Sequence, residues 1–94
     1  RLVGSEMCIR DSSLQYHKRR TEHWSIVSGT GTITLNGKEY DVSVGSNWVI
    51  LPKAIHRATA GGTEDLVFIE TQIGECDEDD IIRLEDDYGR VEPE

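Results

Sequence analysis

The sequence predicts a small all-β domain, a barrel or a sandwich, on three observations. Residues 31–35 and 39–44 alternate in polarity, with Ile33 and Leu35 on one face and Tyr40, Val42 and Val44 in phase on the other strand. Asn36-Gly37 stands between them, and both residues tolerate the positive φ that a two-residue hairpin turn demands. The other apolar runs are short and are cut at regular intervals by glycine or proline.

Taken in order, the first native-looking strand carries Gln15 and His17, which are two apart and share a face. A four-residue cationic loop follows, and Glu22 enters the next strand. Residues 24–28 are a short apolar run ending at Gly29. The hairpin 31–44 comes next, then a turn at Gly45-Ser46-Asn47. Residues 48–51 form a buried-type run closed by Pro52, which cannot donate to a ladder. Residues 56–60 read as a strand, Gly61-Gly62-Thr63 as a turn, and 66–72 as the last strong strand. Residues 79–84 predict a short helix with acids at its positive end. There are no repeats and no low-complexity linker. The expected organisation is one domain over 13–94, with a barrel at 13–74 and an acidic C-terminal segment at 75–94.

Residues 1–12 read differently. Leu2-Val3-Gly4-Ser5-Glu6-Met7-Cys8-Ile9-Arg10-Asp11 resembles the in-frame translation of a transposase-type sequencing adapter. That adapter ends ATG TGT ATA AGA GAC AG, which encodes Met-Cys-Ile-Arg-Asp, and Ser12 fits the split codon. Such a segment is set apart from the fold like a fusion scar. The expectation is an N-terminally truncated domain whose upstream strands are missing.

The net charge of −8 is unevenly spread. Residues 13–74 hold six acids and six bases, whereas 75–94 hold ten acids and two arginines. This acidic balance argues against nucleic acid and anionic membrane as partners. The acidic run reads as a solvated face; the alternative is a folded cap or dimer contact made by Asp79, Asp80, Arg83 and Asp87. No apolar run is long enough to span a bilayer, and there is no secretory core segment. With Cys8 set apart, Cys76 stands alone, which fits a reducing cytoplasm.

Chemistry concentrates in Leu14-Gln15-Tyr16-His17-Lys18-Arg19-Arg20-Thr21-Glu22-His23-Trp24. Amide, imidazole and carboxylate donors converging in this way suit a divalent ion such as Zn²⁺, Mn²⁺, Fe²⁺ or Co²⁺. His23 alternates with Glu22 and should face the other way, and Trp24 reads as core or dimer interface. No glycine loop for cradling phosphate and no nucleotidyltransferase motif is present.

This segment resembles the first metal motif of the cupins of the mannose-6-phosphate isomerase type II family. That domain occurs alone and as the C-terminal domain of bifunctional mannose-1-phosphate guanylyltransferases. The likeness continues through Asn36-Gly37-Lys38-Glu39-Tyr40, Leu51-Pro52 with His56-Arg57, and the run from Glu78 to Arg90. It implies a cupin, a double-stranded β-helix or jelly-roll barrel. It also implies a metal held by Gln15, His17, Glu22 and His56, with Arg20 in the catalytic arginine position. Arg20, with Arg57 and Lys18, would grip the phosphate of a small sugar phosphate. The implied activity is a metal-dependent interconversion of mannose 6-phosphate and fructose 6-phosphate in a cytoplasmic homodimer. The sequence names no catalytic base.

Two departures stand out. Lys18 and Arg19 replace histidines common in the family, and the interval from Pro52 to His56 is one residue short, with Ala54 near a usual glycine. Lacking the second histidine of the usual cupin pair, the site is harder and favours Zn²⁺ or Mn²⁺. The alternatives are a non-catalytic metal- or sugar-binding cupin, and the C-terminal fragment of a bifunctional guanylyltransferase.

Overall fold

The computed structural model describes residues 2–75 and 79–85. Nine strands form in chain order: β1 Leu2–Ile9, β2 Leu14–Tyr16, β3 Arg20–Ser28, β4 Gly31–Leu35, β5 Lys38–Val42, β6 Asn47–Ile50, β7 His56–Ala60, β8 Leu66–Gly74 and β9 Ile82–Glu85. They make a four-stranded sheet in the order β1-β8-β3-β6 and a five-stranded sheet in the order β5-β4-β7-β2-β9. Neighbouring strands are antiparallel throughout. Two such sheets face to face are the all-β barrel that the sequence predicts.

The hairpin between β4 and β5 turns at Asn36 (φ 49°) and Gly37 (φ 84°), with Leu35 opposite Lys38. Both turn residues sit in the left-handed region, and this turn's twist matches that of the flanking strands. Gly31 has a different duty. A Cβ at that position would run into the carbonyl oxygen of Thr59 on the neighbouring β7.

Inward-facing positions alternate along each strand, and their chemistry changes along its length. On β3, Arg20 and Glu22 precede Trp24 and Ile26, and all four are buried. On β8, Leu66 and Phe68 precede Glu70. Because the two strands run antiparallel, Ile26 pairs with Phe68 and Glu22 with Gln72. The apolar halves therefore meet at one end and the polar halves at the other. Ile33, Val42, Ile50 and Ala58 complete the apolar end. Trp24 stacks on Phe68 at a centroid distance of 4.4 Å and marks the border between the two. Burying each large apolar side chain here stabilises the fold by about 1.5–3 kcal/mol.

Three features depart from expectation. Residues 82–85 are a strand rather than part of a helix over 79–84, and no helix occurs among the described residues. The open edge of β2 needs hydrogen-bond partners, and β9 supplies them; this outweighs the local helical spacing of Ile81 and Leu84. Residues 2–9, set apart as adapter-derived, form β1, which pairs with β8 through eight positions. Beyond it, the backbone N–H of Ser12 donates to Ala58 and that of Ala60 to Arg10. The segment also contributes side chains: Met7 and Ile9 pack against the core, and the Arg10 guanidinium donates to the carbonyls of Gly62 and Glu64. Finally, the acidic segment contributes a folded cap: Asp80 is buried. Cys76, Asp87 and Arg90 lie outside the described residues.

Gly31→Ala is expected to destabilise the protein by about 1–3 kcal/mol, because the intruding methyl meets backbone rather than a movable side chain. Gly37→Ala meets open space and should cost only about 1 kcal/mol, through its positive φ. Urea unfolding of both variants checks the order; equal losses would contradict it.

Candidate metal centre

The polar end of the barrel brings together His17, Glu22 and His56, whose donor atoms all lie within 4.8 Å of one another. Among the described residues this is the group of His, Cys, Asp and Glu side chains arranged to hold a metal. Glu22 is inward on β3, and His56 opens β7. His17 lies between β2 and β3, and its backbone carbonyl accepts the N–H of Lys53. Lys53 adopts φ 70°, a conformation uncommon for a residue with a side chain. The next carbonyl, that of Ala54, accepts the Nδ1–H of His56 at 2.9 Å. The short interval after Pro52 thus braces both histidines.

The spacing suits a small divalent ion. His17 Nδ1 is 3.5 Å from Glu22 Oε2, and His56 Nε2 is 3.9 Å from Glu22 Oε1. Ligands about 2.0–2.1 Å from a tetrahedral zinc stand roughly 3.3–3.4 Å apart. His56 carries the clearest mark of a ligand. Its Nδ1 donates to Ala54, which places the lone pair on Nε2, and that buried atom has no hydrogen-bond partner. A backbone carbonyl orienting one ring nitrogen so that the other faces a metal is a recurring arrangement of metal-binding histidines. The residues present therefore fit the ion.

Arg20 is part of this centre. Its Nε donates to Glu22 Oε2 at 2.9 Å, and one terminal nitrogen lies 2.8 Å from both Glu22 Oε2 and His17 Nε2. The indole N–H of Trp24 donates to Glu22 Oε1 at 3.1 Å. A carboxylate at 1% exposure is tolerable only with such compensation. A bound ion and the Arg20 guanidinium would share the same two acceptors.

Gln15, the fourth expected ligand, lines the same cavity as His17 and Glu22. It pairs across the strands with His56, and its amide oxygen accepts from Ser13 Oγ at 2.9 Å. The cavity has a volume of about 370 Å³, and His17, Arg20, Glu22, Glu70, Gln72 and Arg83 are among its lining residues. Of the three cations expected to face a phosphate, only Arg20 lines it. Arg57 is not among the lining residues; its Nε donates to the Ser12 carbonyl at 2.8 Å and lies 3.4 Å from Asp11. Lys18 is exposed, and its backbone N–H is held by Asp80. The structure does not bring Lys18 and Arg57 to the cavity, because their positions fall on the outward phase or outside the strands.

Three residues of the centre escape a reading by motif. Arg83 pairs with Gln15 and lines the cavity, a placement visible only once residues 82–85 are known to be a strand. Ser13, 2% exposed, bonds Gln15. Glu70, 7% exposed, continues the inward phase of Leu66 and Phe68; an acid in an apolar phase was the available signal. Burial, then the neighbouring Glu22, raises the Glu70 carboxyl above the usual carboxylate range, while Gln72 donates to it at 3.0 Å. His17 is pushed down to about 3, first by burial and then by Arg20 and His56. Burial also lowers His56, against the opposing pull of the Ala54 carbonyl. Both imidazoles are thus neutral at neutral pH, the form a metal requires. His23, on the outward phase of β3, takes no part.

Comparison with known proteins identifies the family and the fold. The family described as "Mannose-6-phosphate isomerase C-terminal" matches residues 8–86. The chain is 43% identical over 79 residues to a mannose-1-phosphate guanylyltransferase of Escherichia coli, an alignment covering 83% of this chain and 17% of that protein. It is also 43% identical over 80 residues to the alginate biosynthesis protein AlgA of Pseudomonas aeruginosa, covering 84% and 17%. The chain therefore spans about a sixth of the length of these relatives. In fold it resembles an uncharacterized conserved protein with a double-stranded β-helix domain from Klebsiella pneumoniae. The TM-score is 0.76 at 17% identity, covering 87% of this chain and 73% of that one. The barrel is thus a double-stranded β-helix, the cupin fold. No helix among the described residues is long and apolar enough to cross a membrane.

The depressed histidines set the pH response of the metal-free protein. Their folded pKa values lie below the unfolded value of 6.5, so as pH falls the unfolded chain takes up protons first. Stability should hold above about pH 6.5 and fall between there and pH 3, by at most about 1.4 kcal/mol per pH unit for each histidine. Glu70 acts in the opposite sense below its raised pKa, favouring the folded state where it is protonated. Urea unfolding in the presence of a chelator at pH 7.5, 6 and 5 measures the slope. His17→Asn should flatten it, and an unchanged slope would contradict the assignment.

Proposed function

The chain belongs to the mannose-6-phosphate isomerase C-terminal family, and on that premise we propose that it is a metal-dependent aldose–ketose isomerase domain interconverting mannose 6-phosphate and fructose 6-phosphate. The observation that carries this reading is the buried trio His17, Glu22 and His56, with its unpartnered His56 Nε2, opening on a cavity also lined by the cation Arg20. A divalent ion held by the trio, with Gln15 beside it, would supply Lewis acidity toward the C1 and C2 oxygens of the sugar.

The remaining tasks fall to the chain itself. Isomerisation moves a proton between C2 and C1 through an enediol, which needs a group that can take and return it. The cavity offers two carboxyls beyond Glu22, Asp11 and Glu70; Asp11 is paired with Arg57, and Glu70, held through Oε2 by Gln72 Nε2, is the candidate. Arg20 and Arg83 both line the cavity, so the phosphate of the substrate is assigned to this pair rather than to Lys18 and Arg57. The apolar wall of Trp24 and Phe68 lies below and limits water from the core side. The sugar phosphate and the homodimer expected from the sequence belong to the same proposal, as does a cytoplasmic location.

A second reading concerns the chain's context: the relatives are matched over 17% of their length, which supports a domain of a longer guanylyltransferase as the alternative.

Mannose 6-phosphate added to the chain loaded with Zn²⁺, Mn²⁺ or Co²⁺ is expected to yield fructose 6-phosphate, detected by a coupled ketose assay. Glu22→Gln and His56→Ala should lower the rate at least about a hundredfold. Failure to form ketose phosphate with any of the ions would retire the isomerase reading in favour of a non-catalytic metal-binding cupin.

A further inference from the structure

His17 stands outside the regular ladder. β2 ends at Tyr16 and β3 begins at Arg20, so strand pairing does not hold residues 17–19. The two N–H groups that follow His17 point to a single carboxylate. Lys18 N donates to Asp80 Oδ1 at 2.8 Å, and Arg19 N donates to Asp80 Oδ2 at 2.8 Å. Asp80 lies more than sixty residues away in sequence and is 3% exposed. Two consecutive N–H groups closing on one anion form a short, charge-assisted clamp. It acts on the residues between His17 and Arg20, the two side chains that meet at Glu22. Burial disfavours the Asp80 charge, but the two N–H donors and the nearby Arg19 guanidinium outweigh it and hold the carboxyl below its usual range. Directly after Asp80 come Ile81 and Arg83, both lining the cavity, and β9, which pairs with Gln15.

We propose that Asp80 is a positioning residue for the metal centre: its carboxylate, clamping the backbone of Lys18 and Arg19, sets the place of the His17 imidazole. The C-terminal segment is thereby a working part of the site rather than a solvated acidic tail. The inference rests on the metal reading above, and it concerns affinity and ligand geometry rather than turnover. Removing the carboxylate leaves two N–H groups without their buried acceptor and frees the His17 loop. Loss of a group that orients a ligand typically weakens metal affinity ten- to a hundredfold.

The test uses the full 94-residue chain, titrated with Mn²⁺ by calorimetry and followed by the Mn²⁺ electron paramagnetic resonance spectrum. Asp80→Ala and Asp80→Asn are compared with Asp79→Asn, which removes the same charge from the neighbouring exposed position. Asp80→Asn retains one acceptor oxygen and serves where Asp80→Ala does not fold. The expected result is a ten- to hundredfold loss of affinity with a broadened, altered spectrum for the Asp80 variants. Asp79→Asn should match the wild type, and Asp80→Glu should restore part of the loss. Wild-type affinity in a folded Asp80 variant overturns the inference alone, as does an equal loss in Asp79→Asn. A wild-type chain that binds no Mn²⁺ or Zn²⁺ overturns the metal reading, and this inference with it.

Discussion

The Glu22 carboxylate, 1% exposed between two β-sheets, is the constraint around which the rest is arranged. An ionised group so far from water needs partners for both oxygens. One oxygen takes the Arg20 fork, and the other takes the Trp24 indole N–H. His17 and His56 complete the shell as neutral rings, with His17 Nδ1 3.5 Å and His56 Nε2 3.9 Å from the carboxylate. The charge, its arginine and two deprotonated imidazoles make up a site that a divalent cation can enter by replacing the Arg20 guanidinium at two acceptors.

This shell forms because the strands carry a gradient. The inward phase runs from polar to apolar along β3 and from apolar to polar along β8, so their antiparallel pairing brings like ends together. The Trp24–Phe68 stack then lies directly beneath the carboxylate, with the edge of Trp24 against His56 at 5.6 Å. A slip of one residue in that pairing would turn Glu22 outward and His23 inward. The apolar core therefore sets the register that positions the site, and core and chemistry cannot be separated at Trp24.

Two loops finish the work that strands leave undone. The turn containing Lys53 and Ala54 supplies one N–H to His17 and one carbonyl to His56. The C-terminal segment supplies Asp80 from the opposite side. Each brace reaches a histidine through backbone atoms, so a reading by side-chain identity passes over them. Lys53, in this turn, adopts the left-handed region at φ 70°.

By itself the sequence determined the all-β class, the Asn36-Gly37 hairpin and the outward turn of His23; its resemblance implied the ligands Gln15, His17, Glu22 and His56, of which the structure brings His17, Glu22 and His56 within 4.8 Å of one another. The first three follow from period-two alternation and turn chemistry, encoded within a few residues. Only the tertiary structure decided that residues 82–85 are a strand, that Glu70, Ser13 and Arg83 join the cavity, and that Lys18 and Arg57 do not. Each of those depends on which strand lies beside which, and at what register. Pairings between residues as far apart as Leu14 and Glu85 are chosen by burial and hydrogen-bond demand across the whole barrel, and no local stretch of chain carries that information.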